Sequence, residues 1–428
     1  MASTTNEHCR CDILLTMFAL IKWVAIITSS LYDDILLSIY LTTRDLLCQH
    51  LNLFEHSIYH SSTLYAIGFL IGGLFWNVLS KCIQVKKMLS LCQIGLFIST
   101  LGFLYSSAPW QIFSIRFMQG IFASGAFIYI NILVKHNFRQ KEFNKFLALN
   151  TLFAYIAEAI VPLVSGILNS SYNFKASIVF LLIILAVSMY TIFLNLDSPP
   201  ANETFVESIG TTSLSYWKII SSQLVLILIV VGMTEGIIDM LFNILEHMME
   251  NIMPNTSNQL LTLSISGISI CSSISVNIIS WFDSENNKVG KQSFNWSYVN
   301  RRDKMTMYYA SIAVILGLCS SFIVQHNYWT LIAYIVLIMI GLCIIHYIGT
   351  KMVYSVYYSS GCIASSIGLA ETLMSAIIQG ISGFAMRISD NRFIFLYCIL
   401  FFVIMLTIIR QFYKIIPDNY EKASISGS

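Results

Sequence analysis

Long apolar runs alternate with short polar breaks along the whole chain. At about 1.5 Å per residue, a helix needs roughly 20 apolar residues to cross a hydrocarbon core of about 30 Å. The pattern predicts twelve such spans, at 13–41, 61–81, 88–107, 110–135, 144–169, 175–196, 216–247, 258–281, 304–325, 328–350, 360–386 and 391–415. The first and seventh are unusually long, and both turn polar and acidic toward their ends. After the sixth comes "NLDSPPANETFVESIGTTSLSYW", whose paired prolines, Pro199 and Pro200, make it the best linker in the sequence. The expectation is an all-α integral membrane protein in two pseudo-symmetric six-helix bundles, 13–197 and 216–416. A linker at 198–215 joins them, with polar tails at 1–12 and 417–428. Such a 6+6 plan places a binding site near the bilayer midplane.

Composition agrees with lipid as the solvent. Of 428 residues, 56% are hydrophobic and 11% charged, against about 25% charged in soluble domains. A net charge of +2 makes no case for nucleic acid as a partner. The first apolar run lacks a small-residue cleavage site and is long enough to span, so it reads as a retained helix. Placing the N-terminus inside puts most basic residues in inner loops: Lys81, Lys86 and Lys87; Lys135, Arg139, Lys141 and Lys145; Lys288, Lys291, Arg301, Arg302 and Lys304; and Lys351. Outer loops hold little beyond Arg44, Lys175, Arg387 and Arg392. The positive-inside rule then puts both termini in the cytoplasm. Trp110, Trp217, Trp281 and Trp329 sit at span ends, as an interfacial aromatic belt requires. The ten cysteines have no metal spacing beyond a lone Cys9-x-Cys11, and most lie in apolar runs as small buried hydrophobes. No cofactor motif and no nucleotide-binding GxxxxGK[ST] is present, so the chain does not read as an enzyme.

Four stretches then resemble a known family. "LYDDILLSIYL" in span one, "GGLFWNVLSKCIQVKK" between spans two and three, "RFMQGIFASGAF" in span four and "VPLVSGIL" in span five are similar to motifs of the major facilitator superfamily. Within it they are most similar to the bacterial drug/proton antiporter, bicyclomycin-resistance-like branch. The resemblance implies the major facilitator fold, a bacterial inner (plasma) membrane location and activity as a monomer. It implies proton coupling through the span-one acids and the span-four Arg116, and an antiporter motif around Pro162 and Gly166. The loop motif is altered. Gly73, Lys86 and Lys87 keep its outline, but Lys81 stands where the family has Asp and Gln84 where it has Gly. In span five Val161 and Ser165 replace glycines.

Ionisable side chains inside the spans carry the remaining argument. Each costs about 2.5–3.5 kcal/mol at mid-bilayer on insertion scales, so each must pair or line a wet cavity. Asp33 and Asp34 late in span one lie at a depth similar to Arg116 early in span four. Either an ion pair there senses protons, or it is a static tie. Gln119 lies on the same face as Arg116. Lys22 either faces a cavity or snorkels to the inner interface. Glu158 sits one turn before Pro162, whose missing N–H frees the carbonyl of residue 158. It is a cavity carboxylate or a protonated acid bonded to a neighbouring helix. In span seven Glu235, Asp239, Glu246 and Glu250 form one stripe. Glu235 and Asp239 are the functional pair, and Glu246 and Glu250 read as a solvated helix end. Glu371, amid the small residues Ser365, Ser366, Gly368 and Ala370, faces a cavity. His346, near the inner end of span ten, reads as a packed residue.

The acids Asp33, Asp34, Glu158, Glu235, Asp239 and Glu371 outnumber Lys22 and Arg116. The expected substrate is therefore a small cationic or zwitterionic molecule, bound through Gln119, Glu235, Asp239 and Glu371, with protons as the coupling ion and no metal. Three functions stay open. The first is a proton antiporter exporting drugs or metabolites. The second is a proton symporter importing an amino acid, nucleoside or metal chelate. The third is a non-transporting receptor on the same fold.

Overall fold

The computed structural model describes residues 26–27, 29–51, 55–137, 140–195, 205–220, 224–252, 267–268, 270–272, 274–279, 301–323, 328–354, 360–388, 402–407 and 409. Among these residues the regular structure is all helix, joined by short turns. In chain order the helices are α1 (Tyr32–Leu51), α2 (Glu55–Cys82), α3 (Val85–Tyr105), α4 (Pro109–Asn137), α5 (Gln140–Ser171) and α6 (Phe174–Asn195). There follow α7 (Phe205–Ile220), α8 (Leu224–Ile252), α9 (Arg301–Ile323), α10 (Tyr328–Tyr354) and α11 (Ser360–Ile388). Shorter helical pieces lie at 274–279 and 402–407, within the eighth and twelfth expected spans. Five helical stretches within α2, α3, α4, α10 and α11 are long and apolar enough to cross a membrane, and six are if α7 and α8 count as one bent span.

Local chemistry sets the turns. Pro109 opens α4, where its missing N–H costs nothing. Gln111 Oε1 reaches back to accept from the backbone N–H groups of Ser107 (2.7 Å) and Ala108 (3.1 Å), closing the helix start. Asn173 makes the turn between α5 and α6. It adopts φ 141°, a region that Asn enters more readily than most residues. Its Oδ1 accepts from the Lys175 N–H at 2.9 Å, capping α6.

Two element boundaries differ from the apolar pattern. The first is at the end of span one, placed at residue 41, because α1 continues to Leu51. Leu47 is buried with Phe103, Ile112, Phe174 and Ile178, so a narrow apolar stripe holds a stretch whose other positions are polar. The second is span seven, which breaks near its start. Gly210–Ile219 and Leu224–Ile238 meet at 80°, across the polar sequence Ser221-Ser222-Gln223. Part of the polar stretch expected as linker is therefore helix α7.

The chain divides into two compact units. The first comprises residues 1–143 and 164–208, the second residues 144–163 and 209–428. The division within α5 falls just after Pro162, which lies inside that helix. In the first unit the most extensive packing is α2 against α4, followed by α3 on α4, with α6 on α3 and on α1. Glycines make the α2–α4 approach possible. A Cβ added at Gly120 would stand 2.8 Å from the Phe69 nitrogen and closer still to the Tyr65 oxygen. Trp76 Nε1 donates to the Ile121 carbonyl (2.7 Å), and the Tyr129 hydroxyl donates to the Trp76 carbonyl (2.8 Å), locking the same pair. The second unit is built on α8 against α11, α9 against α10, and α8 against α10. Lys351 Nζ at the end of α10 meets Asp303 Oδ1 at the start of α9, at 3.2 Å.

Replacing Gly120 by Val is expected to force α2 and α4 apart. The yield of monodisperse protein should drop sharply on fluorescence-detected size-exclusion chromatography, with a lower melting temperature for what remains. Replacing Gly166, where an added Cβ meets nothing within 4 Å, should change neither.

Candidate functional site: two buried polar clusters

In the first unit, α4 carries Arg116 and Gln119 inward, three residues apart on one face. Both are fully buried. Arg116 Nη1 donates to Gln119 Oε1 at 3.1 Å, and Gln119 Nε2 donates to Thr100 Oγ1 of α3 at 3.1 Å. The guanidinium lies over two rings, 4.1 Å from the centroid of Tyr40 in α1 and 4.3 Å from that of Tyr65 in α2. A planar, weakly hydrated cation suits this sandwich, whereas a strongly hydrated ammonium would be left short of acceptors and could not stack. The Tyr40 hydroxyl in turn bonds Ser61 Oγ, and the Tyr32 hydroxyl lies 3.4 Å from Thr100 Oγ1. Four helices therefore meet around one arginine.

A second polar set in the same unit ties α1, α5 and α6. Thr42 Oγ1 lies 2.6 Å from Ser165 Oγ, Ser165 donates to Ser177 Oγ (3.1 Å), and Ser177 lies within bonding distance of Asn169 Oδ1 (2.7 Å). Ser165 stands where the resembled motif has glycine. Here its hydroxyl supplies a bond in place of a close backbone approach. Gly166 faces open space, so it makes no close helix contact. Pro162 lies inside α5. Gly73 is buried in α2, Lys81 ends that helix, and Lys86 and Lys87 open α3.

The second unit brings together residues from three helices. Glu235 of α8 and Glu371 of α11 lie on either side of His346 of α10. His346 Nδ1 is 3.6 Å from Glu235 Oε2, and His346 Nε2 is 3.5 Å from Glu371 Oε1. The side chains are part-exposed, at 35% for Glu235, 23% for Glu371 and 17% for His346, and so are not sealed into the helix packing. Glycines again set the geometry. A Cβ at Gly232 would press on the Ala370 carbonyl, and one at Gly236 would stand 2.7 Å from Ile378 Cδ1. Small residues on α8, three positions before Glu235 and one after it, thus let α11 approach. Among the described residues no group of three His, Cys, Asp or Glu is arranged to hold a metal.

Hydrogen-bond bookkeeping fixes the imidazole. Thr234 Oγ1 donates its single proton to the Val231 carbonyl at 2.7 Å. Its oxygen, 3.3 Å from His346 Nδ1, can then only accept, so Nδ1 carries a hydrogen. In a neutral imidazole that leaves the Nε2 lone pair facing Glu371. A carboxylate there would meet a lone pair, so a further proton belongs between Nε2 and Glu371, on one or the other. The two forms have the same proton count, and either one leaves the trio one negative charge less than it has without that proton.

The sequence singled out Glu235 and Glu371 but read His346 as packing. Its signal was weak, because a lone histidine has no motif, and its partners lie 111 residues before it and 25 after it. Thr234 offered no signal at all. Asp33, Asp34, Glu158 and Asp239 lie on described helices, but their side chains lie outside what is described, as do those of Glu246 and Glu250. Lys22 lies outside the described residues altogether.

Residues 23–383 match the model of the Major Facilitator Superfamily. No curated protein sequence is significantly similar to the chain. Solved structures with the same fold include the human organic anion transporter MFSD10 (TETRAN), at TM-score 0.68 and 12% identity, covering 91% of this chain and 98% of that one. A variant of the E. coli fucose:proton symporter FucP gives 0.67 and 14%, covering 93% and 98%. FucP in the outward conformation gives 0.71 and 14%, covering 92% and 98%. At such identities the likeness speaks for the fold alone.

Gln119→Leu is expected to strand a buried guanidinium nitrogen, costing about 1–3 kcal/mol. Thermal unfolding in nanodiscs should show a clear fall in stability, whereas Gln111→Leu, at an exposed helix start, should shift it far less.

Proposed function

The chain belongs to the Major Facilitator Superfamily, which makes it a multi-pass membrane transporter rather than an enzyme, and from that premise we propose a proton-coupled antiporter of small organic cations working by alternating access. The observation that carries this reading is the placement of His346 between Glu235 and Glu371. Loss of the proton between Nε2 and Glu371 adds one negative charge to the trio, in surroundings where charge is costly. An organic cation relieves that excess as well as a proton does. One group of carboxylates that serves either a proton or a cation, but not both, exchanges one for the other. This favours antiport over symport.

The first unit supports the same reading. Arg116 is wholly buried, so it is no docking point for a substrate carboxylate, and a cation is favoured over a zwitterion. Asp33 is the better candidate for a partner of Arg116. Position 33 lies two turns before Tyr40 on the same helical face, whereas position 34 is rotated by about 100°. The span-four and span-five motifs agree with export, and the basic inner loops with cytoplasmic termini in a bacterial inner membrane. A proton symporter would load proton and substrate together, and a receptor would need no titrating carboxylates.

Reconstituted in liposomes with a pH-sensitive dye in the lumen and ethidium as the cation, the protein should alkalinise the lumen when cation is added outside. Acidification would mean symport, and no change would point to a receptor. Glu371→Gln should abolish proton-driven accumulation while cation exchange persists, and Glu235→Gln should remove both. Asp33→Asn should lower proton-driven flux at least about tenfold and Asp34→Asn much less. Unchanged flux in Glu371→Gln would refute the coupling.

A further inference from the structure

Helix α7 presents its sides in an order that water does not explain. Ser208, Thr212 and Ile219, spaced along one face, are buried. The opposite stripe, Gly210, Leu214 and Trp217, faces outward, with Leu214 53% and Trp217 68% exposed. The buried face thus carries two hydroxyls, and the outward face the bulk of the hydrocarbon. Beside the outward stripe lie the exposed Glu207, Thr211 and Lys218 on one flank and Ser213 on the other. An apolar centre with polar flanks suits a boundary between oil and water.

The bend supplies the orientation. Gly210–Ile219 meets Leu224–Ile238 at 80°. From Leu224 to Met233 the sequence is wholly apolar, apart from one glycine; this stretch opens α8, which we read as entering the bilayer here and reaching about its middle by Met233. A helix nearly perpendicular to a crossing helix lies nearly in the membrane plane. The Tyr216 hydroxyl, donating to Ser365 Oγ of α11 at 2.6 Å, fixes the rotation that turns Trp217 outward.

We propose that Gly210–Ile219 is an interfacial helix lying on the membrane surface. Leu214 and Trp217 sit among the phospholipid headgroups, and Lys218 beside them meets lipid phosphate. The occupant of the outward face is the bilayer itself, for three reasons: the face continues from a crossing helix, its centre is apolar with an indole suited to the headgroup layer, and its flanking cation complements phosphate. This placement also sets a depth. With α8 starting at the surface, Glu235 lies eleven residues in, about 16 Å, near the middle of the hydrocarbon.

The test uses the full chain in vesicles of phosphatidylcholine and phosphatidylglycerol, brominated either near the carbonyl end of the acyl chain or near its terminus. The Trp217 signal is the wild-type fluorescence minus that of Trp217→Phe. Shallow bromines should quench it roughly twofold more than deep ones, and aqueous iodide should quench it little. Leu214→Trp in the Trp217→Phe background should restore a signal with the same profile, because both positions share the face. Stronger quenching by deep bromines would mean a re-entrant segment and overturn the proposal. Quenching by iodide but by neither lipid would place the face in water or against a soluble partner, and overturn it equally.

Discussion

Hydrocarbon offers no hydrogen bonds, and this constraint organises every polar feature of the molecule. A charged or polar side chain within a span has to find its partners in the protein. Arg116 does so between two tyrosine rings with Gln119 and Thr100 in a chain behind it. Thr42, Ser165, Ser177 and Asn169 do so by linking three helices. Glu235 and Glu371 do so by standing on either side of His346. In the α2–α4 and α8–α11 contacts the packing is set by glycines that let backbones come close, and the polar groups then fix register and rotation.

The two units use this constraint differently. The arginine cluster is closed and wholly buried, an arrangement suited to holding four helices in one relation. The carboxylate–imidazole trio is partly open, its contacts are longer than direct hydrogen bonds, and its charge changes with one proton. On the proposed reading, a group whose satisfaction depends on a mobile proton is poised between two arrangements, and a bistable element of that kind would couple an ion gradient to a conformational change. The glycines at 232 and 236 matter to this as much as the acids, since they decide how near Glu371 comes to Glu235.

Much of this was legible in the sequence. The apolar runs marked the helices because a bilayer-crossing helix must be apolar for most of its length. The span-four stretch "RFMQGIFASGAF" marked both the family and the Arg116–Gln119 pair. Glu235 and Glu371 stood out because charge in a span is rare. What was not legible depended on pairing across long sequence separations. His346 became informative only once α8 and α11 stood on either side of it, and Thr234 only through a bond direction. The bend between Gly210–Ile219 and Leu224–Ile238 had a signal in the polar sequence Ser221-Ser222-Gln223 between them, but the apolar residues on either side made one long span the simpler reading. The end of α1 was missed because a single stripe of leucines is a weak hydropathy signal, although it is sufficient for packing.

The central claim is that protons in the second unit are shared across His346. Solid-state nitrogen NMR of protein with labelled histidine, using His346→Gln to identify the signal, reads both ring nitrogens directly. The account predicts a protonated Nδ1 at all pH values tested and an Nε2 resonance that shifts when Glu371 is replaced by Gln. A ring protonated only on Nε2, or an Nε2 signal indifferent to that replacement, would contradict it.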